Sequence, residues 1–158
     1  MPDQPPVEYI ERSRAYYEAQ GFEKPYEWFK AKDIPFTKLS KPLNECRAAI
    51  VTTAMPDDRF TDEHRRLYVG KLNEPPSQFF TGGLFWDRDA THTDDRETYF
   101  PIKQLQARLN NGEIGALAKH YYCVPTIYSH HRTAVRDAPK IVEQCLSDEV
   151  DIALLIPL

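Results

Sequence analysis

Two adjacent threonines follow an apolar run near the middle of the chain. Thr52 and Thr53 come directly after residues 48–51, at the end of a segment rich in β-forming residues. At the carboxyl end of a strand, their hydroxyl groups could donate hydrogen bonds to a bound anion or carboxylate. The same hydroxyl groups could equally cap a loop. The sequence leaves both interpretations open.

A second group of reactive side chains lies in the polar segment 86–96. It contains Asp87, Arg88 and His92, with further aspartates close by. The spacing lacks the glycine and the glutamate that a calcium-binding loop needs. The segment is therefore either an exposed polar loop or a functional loop in which His92 and neighbouring aspartates face a cleft.

A third group, residues 129–133, contains the adjacent histidines His130 and His131. Adjacent residues on a regular element face different ways, and no second ligand pair has a recognisable spacing. We therefore predict no metal site. The three cysteines are far apart and form no Cys-x-x-Cys pair, so neither a zinc cluster nor a complete dithiol is predicted. Free cysteines tend to be buried, which favours a core-filling role.

Composition excludes several classes of protein. The chain has 158 residues, a net charge of −4 and a pI near 5.7, without a run of basic residues that would bind nucleic acid. No apolar run reaches the roughly 18 residues that cross a membrane. The N-terminus lacks the apolar core of a signal peptide. We expect no nucleic-acid or membrane partner and a cytoplasmic location.

The elements that position these residues alternate between strands and helices. Strands are predicted at 47–54, 120–124 and 151–156, and helices at 102–109 and before 147, with a further helical turn near 114–118. This alternation predicts an α/β fold with a parallel sheet and right-handed crossovers. The apolar final strand is expected to be buried on both faces.

The N-terminal residues predict a separate helical arm. Residues 7–20 have helical spacing, and Pro25 favours the start of a short second helix that carries Tyr26, Trp28 and Phe29. We divide the chain into this aromatic arm, residues 1–32, and an α/β domain, residues 33–158. Gly82-Gly83 lacks the flanking pattern of a dinucleotide fingerprint.

Several segments together resemble the B component (selenoprotein B) of the glycine, sarcosine, betaine and D-proline reductases, especially its shorter bacterial relatives. The resemblance runs from about residue 30 to the end and rests on the order and spacing of these segments: 35–47 leading into Val51-Thr52-Thr53-Ala54, Trp86-Asp87-Arg88, Tyr99-Phe100-Pro101-Ile102 with Leu105, Gly112-Glu113-Ile114-Gly115, and Asp137-Ala138-Pro139 through Asp151.

The resemblance implies a Rossmann-like three-layer fold and a redox enzyme. In that family a selenocysteine, or a cysteine in its place, follows an apolar strand resembling 150–158, and a second cysteine comes a few residues later. No residue of this sequence matches that reactive position. We therefore expect the reactive residue after Leu158, encoded by an in-frame UGA, and we expect this chain to be an inactive N-terminal portion of a longer reductase. A natural terminus is the alternative.

The resemblance also implies roles for the polar residues and for the partners. Six residues are candidates for substrate contact or proton delivery: Thr52, Thr53, Asp87, Arg88, His92 and His131. An arginine can bind a carboxylate bidentately, and a histidine can protonate a leaving amine. A thioredoxin-like donor would supply electrons to the reduction of a small-molecule substrate. No cofactor is expected, and a homodimer is possible.

A second class of function stays open, a non-catalytic binding or assembly module that acts through the aromatic arm. A stable monomer with a well-covered final strand would favour the module. An exposed apolar surface beside Leu158, or dimerisation through it, would favour the reductase portion.

Overall fold

The computed structural model describes residues 8–22, 24, 30–35, 37–58, 66–82, 89–127 and 129–158. The chain divides into two compact units, with the division between residues 36 and 37.

The first unit contains one described helix, α1, which spans Tyr9–Ala19. The helix ends at Gln20, and Gly21 follows with a φ of 82° and donates its N–H to the carbonyl of Glu18. This left-handed position suits a glycine, which lacks the Cβ that would be strained there. No residue of α1 is buried. The predicted second helix around Trp28 lies outside the described residues.

The second unit is a mixed α/β structure built on a five-stranded, mostly parallel open sheet. The central strand is β1, Arg47–Thr52, which pairs in parallel with β5, Ile152–Ile156, along one side. Along its other side lie first β3, Ala116–Leu117, and then β4, His120–Cys123, both also parallel. The far edge is β2, Tyr68–Lys71, which runs antiparallel to β4. Small and β-branched residues such as Ala49 and Val51 allow β1 to be covered on both faces.

The two faces of the sheet carry separate apolar clusters. Ile50 and Tyr121 face the larger cluster. This cluster also contains Phe100 and Leu105, of which Leu105 belongs to helix α2, which spans Ile102–Asn110. The opposite face presents Val51 and other small residues to helix α4, which spans Ala138–Ser147. Because successive residues of a strand point to opposite faces, helices α2 and α4 lie on opposite sides of the sheet.

The helix before β5 is longer than its apolar pattern predicts. It begins with α3, His130–Arg132, continues through a π-helical segment, Thr133–Asp137, and ends as α4. Pro139 lies in the first turn of α4. A proline has no N–H to donate, so it is tolerated where the hydrogen-bond pattern changes from π to α.

Two predictions about the second unit are wrong. The helical turn expected near 114–118 is instead the short strand β3, because Gly115 and Ala116 both donate their N–H groups to the carbonyl of Cys46. The final strand β5 is not buried on both faces. Its residues alternate between half-buried and exposed, and Leu155 is 74% exposed. An apolar run specifies a strand, but it does not specify that an element covers the second face.

Candidate functional site

The carboxyl ends of the parallel strands define one edge of the sheet. Strands β1, β4 and β5 all run in the same direction, so the segments that follow them lie at this edge. In open α/β sheets ligands usually bind at such an edge. We call it the carboxyl edge, and the opposite one the amino edge.

The two threonines at the end of β1 have different environments. Thr52 is 1% exposed, and its hydroxyl accepts a hydrogen bond of 3.3 Å from the Ala54 N–H. It caps its own turn and faces the core. Thr53 instead accepts a hydrogen bond of 2.8 Å from the Leu158 N–H, and its hydroxyl donates to the Leu158 carbonyl at 3.3 Å. Thr53 therefore fixes the backbone that follows β5 beside the end of β1.

The loop that contains His92 is tied to the same edge. Phe80 donates its N–H to the Met55 carbonyl at 2.8 Å, just after the end of β1. The next residue, Thr81, shares a hydrogen bond of 2.7 Å with Thr93. His92 itself is 72% exposed and lies 3.5 Å from the Asp94 carboxylate. Its imidazole is accessible to a solute at this edge. Asp87 and Arg88, the other two candidates of this loop, lie outside the described residues.

His131 lies at the start of the helix that follows β4. The side chain of Ser129 caps α3 by accepting a hydrogen bond from the Arg132 N–H at 3.3 Å. His130 and His131 are both exposed on this first turn. The described part of the chain contains no group of three or more His, Cys, Asp or Glu side chains that could hold a metal ion.

The carboxyl edge thus receives Thr53, the His92 loop and the helix start with His131, whereas Thr52 points inward. Sequence reasoning missed an ion pair further along that helix in which the carboxylate is buried and the guanidinium is partly exposed. Asp137 is 1% exposed and accepts two hydrogen bonds from Arg136, at 2.8 and 3.0 Å, which raise the pKa of the guanidinium. Adjacent helical residues normally diverge, so the sequence carries no signal for this pair.

The cysteines are unpaired. Cys46 and Cys123 are buried, and the Cys46 thiol donates to the Pro42 carbonyl at 3.3 Å. Burial raises the pKa of the Cys123 thiol far above its usual value, and burial also raises that of Cys145. Both thiols are therefore protonated at neutral pH and poorly nucleophilic.

The amino edge carries polar and ionisable groups that contact one another. His120 Nδ1 lies 2.6 Å from an oxygen of the buried Asp148. Nearby, a pocket of about 540 Å³ is lined in part by Lys41, Arg47 and Asp151. Asp151 accepts hydrogen bonds of 2.8 Å from Lys41 and from the Arg47 N–H, and the two bonds lower the pKa of its carboxyl group. The charges of Lys41 and Asp151 therefore neutralise each other in this pocket.

Comparison with known protein families, with curated proteins and with solved structures found no match. Within the described ranges, no helix combines the length and the apolar character needed to cross a membrane.

Proposed function

We propose that this chain is the N-terminal portion of a reductase similar to component B of the glycine, sarcosine, betaine and D-proline reductases, with a Rossmann-like fold. Its residues supply the scaffold and the substrate pocket. The reactive selenocysteine or cysteine follows Leu158, so the 158 residues alone are inactive.

The observation that carries the proposal is the pair of hydrogen bonds between Thr53 and the backbone of Leu158. They fix Leu158 at the carboxyl edge, next to the end of the central strand. A residue that follows Leu158 would begin at this edge, where α/β proteins bind their ligands. The N-terminus of a following helix would stabilise the selenolate or thiolate anion, the nucleophilic form.

The proposed chemistry is the one that the resemblance implies. The selenolate attacks a carbon of the substrate and displaces the amine, which leaves a carbon–selenium bond. A nearby thiol then attacks the selenium, the carbon–selenium bond breaks, the carbon takes up a proton to give the reduced product, and a selenenyl sulfide remains. A thioredoxin-like dithiol returns the two electrons. In this scheme His92 or His131 protonates the leaving amine, and Arg88 binds a substrate carboxylate. The exposed apolar side chains of β5 and α4 agree with the outcome expected for a reductase portion.

The test uses the product of a longer reading frame, with selenocysteine or cysteine after Leu158, and measures reductive cleavage of glycine, sarcosine, betaine and D-proline by a dithiol. Thr53→Val removes both hydrogen bonds to Leu158 and should reduce turnover roughly fivefold, since their net loss is about 1 kcal/mol. Thr53→Ser keeps the hydroxyl and serves as the control. No cleavage of any of the four substrates would contradict the proposal.

A second function is favoured by the first unit. The helix α1 buries no residue, and Tyr9, Tyr16 and Tyr17 are exposed around a pocket of about 290 Å³ that also includes Arg12. Exposed tyrosines are common in protein interfaces. A binding module would bind its partner through this helix, and Tyr16→Ser with Tyr17→Ser should abolish the binding. If those variants bind the partner as tightly as the wild type, α1 is not the binding element.

A further inference from the structure

The outer edge of β5 departs from the usual design of an edge strand. Edge strands of soluble proteins are protected by charges, prolines or bulges, because their free N–H and C=O groups can pair with another chain. The opposite edge, β2, follows this rule with an exposed lysine, Lys71. Residues 152–156 carry no charge, and among the described residues β5 pairs only with β1.

The side chains beside this edge are apolar as well. Leu155 is 74% exposed and points to the face that α4 covers. On α4, Ile141 and Cys145 pack against the sheet, and each is followed by an exposed apolar residue, Val142 and Leu146. Each residue of an α-helix is rotated by about 100° about the helix axis from the one before it. In a right-handed crossover from β4 to β5, this rotation directs the side chains of Val142 and Leu146 towards β5. Leu155 and Val142 therefore lie beside β5 on the same face of the sheet, and Leu146 lies further towards the amino edge, where it also lines the pocket of about 540 Å³. We call these three side chains the β5 surface.

We propose that the β5 surface is a dimer interface, in which the β5 strands of two copies of this chain pair antiparallel about a twofold axis. The two sheets then join into one continuous sheet of ten strands. The proposal does not depend on the proposed function, since it requires only the 158 residues.

The strand is complementary to itself in this arrangement. With Leu154 on the twofold axis, Leu155 lies opposite Ala153 of the second copy, so a large side chain meets a small one. Asp151, whose carboxylate binds Lys41, lies opposite Pro157 of the second copy. A parallel arrangement would place the two Asp151 carboxylates side by side, and like charges opposite each other are unfavourable. Charge and side-chain volume both favour the antiparallel pair.

The helices leave room for the exposed side chains. Strands are spaced by about 4.8 Å, so the two β1 strands of the dimer are about 14 Å apart. Each α4 lies over β1 and β4, which places the two helices further apart than the about 8–10 Å of direct helix packing. The trough between them is lined by Leu155, Val142 and Leu146 of both copies. A second copy thus covers the apolar side chains and the free strand edge together.

The test measures the mass of the 158-residue chain by sedimentation over a wide range of concentration. We expect a particle of twice 18.4 kDa for the wild type. Leu155→Lys should raise the dissociation constant at least about a hundredfold, because the twofold axis places two lysines in the interface. Val69→Lys makes the same kind of change on the opposite edge, where Val69 is exposed, and should leave the dimer intact. Circular dichroism of each variant confirms that it is folded.

A crosslink tests the register. In a background with Cys145→Ser, a mixture of Ala153→Cys and Leu155→Cys chains should form the mixed disulfide faster than either chain forms its own. A wild-type monomer at every concentration would overturn the proposal, and so would a dimer that Leu155→Lys leaves intact. A dimer in which two identical variant chains form a disulfide faster than the mixed pair would also overturn the proposal. Binding of a different protein to a monomeric chain at this surface would assign the surface to that partner instead.

Discussion

The connection between α4 and β5 depends on one residue with an unusual backbone conformation. Glu149 has a φ of 55°, in the left-handed region that few residues other than glycine adopt. It donates its N–H to the Leu146 carbonyl at 3.1 Å, and Val150 donates to the Cys145 carbonyl at 2.8 Å. These two bonds form a Schellman motif, whose left-handed position usually holds glycine. We therefore expect Glu149→Gly to stabilise the protein.

The magnitude follows from two opposing effects. A residue with a Cβ in the left-handed region costs about 1–2 kcal/mol, which glycine would remove. The greater conformational freedom of glycine stabilises the unfolded chain by about 0.5–1 kcal/mol and offsets part of this gain. The ion pair that is lost, at 3.7 Å from Arg47, is largely in solvent, since the Glu149 side chain is 82% exposed, and it contributes little. The net gain in the free energy of unfolding is about 0.5–1 kcal/mol.

The same substitution elsewhere on the helix provides a control. Glu143 is exposed in the middle of α4. Glycine there loses helix propensity and should destabilise the protein by about 0.5–1 kcal/mol. Urea unfolding at low protein concentration should show the midpoint rising for Glu149→Gly and falling for Glu143→Gly, each by about 0.3–0.5 M. If both variants were destabilised equally, residue 149 would not be in the left-handed conformation.

Four further substitutions test other parts of the second unit. Asp148→Ala removes the buried carboxylate that lies 2.6 Å from the half-buried imidazole of His120 and should cost about 0.5–1.5 kcal/mol in urea unfolding; Asp94→Ala removes an exposed His–Asp pair and should change nothing measurable. Gly70→Ala would place its Cβ within 2.5 Å of the buried Tyr121 ring and should cost about 1–3 kcal/mol. Asp151→Asn should reduce the loss of stability in acid. Folding lowers the pKa of the Asp151 carboxyl group, so the ionised group stabilises the folded protein above the unfolded pKa of 3.8. This stabilisation is lost as the pH falls below 3.8. Equal acid sensitivity of the variant and the wild type in thermal unfolding would refute the last argument.

The strands that could be predicted are those with a continuous apolar run. The run that contains Ile50 and the run that contains Leu154 are both strands of the parallel sheet, as expected. The strand β2 could not be predicted, because it has only four residues and contains Gly70, a residue type that is rare in strands. At this position a Cβ atom would collide with the Tyr121 ring. The sequence also did not predict the bend between β3 and β4. Ala48 pairs with Leu117 and Val51 pairs with Tyr122, so β1 advances three residues while the neighbouring chain advances five. Local patterns do not report such register changes.

The candidate site was predictable in position and less so in detail. The parallel order of the strands was enough to expect the ends of β1 and β4 at one edge. The sequence could not distinguish the inward Thr52 from Thr53, whose hydroxyl binds the backbone of Leu158, because that difference depends on a contact 105 residues along the chain. Similarly, the pair formed by Arg136 and the buried Asp137 depends on a π-helical turn that has no sequence signature here.

The measurement that tests the central claim most directly is the nucleotide sequence after the Leu158 codon. The reductase proposal predicts a UGA followed by an open reading frame that encodes a nearby cysteine and an amphipathic helix. A UAA or UAG codon, or a UGA without a coding frame beyond it, would contradict the proposal.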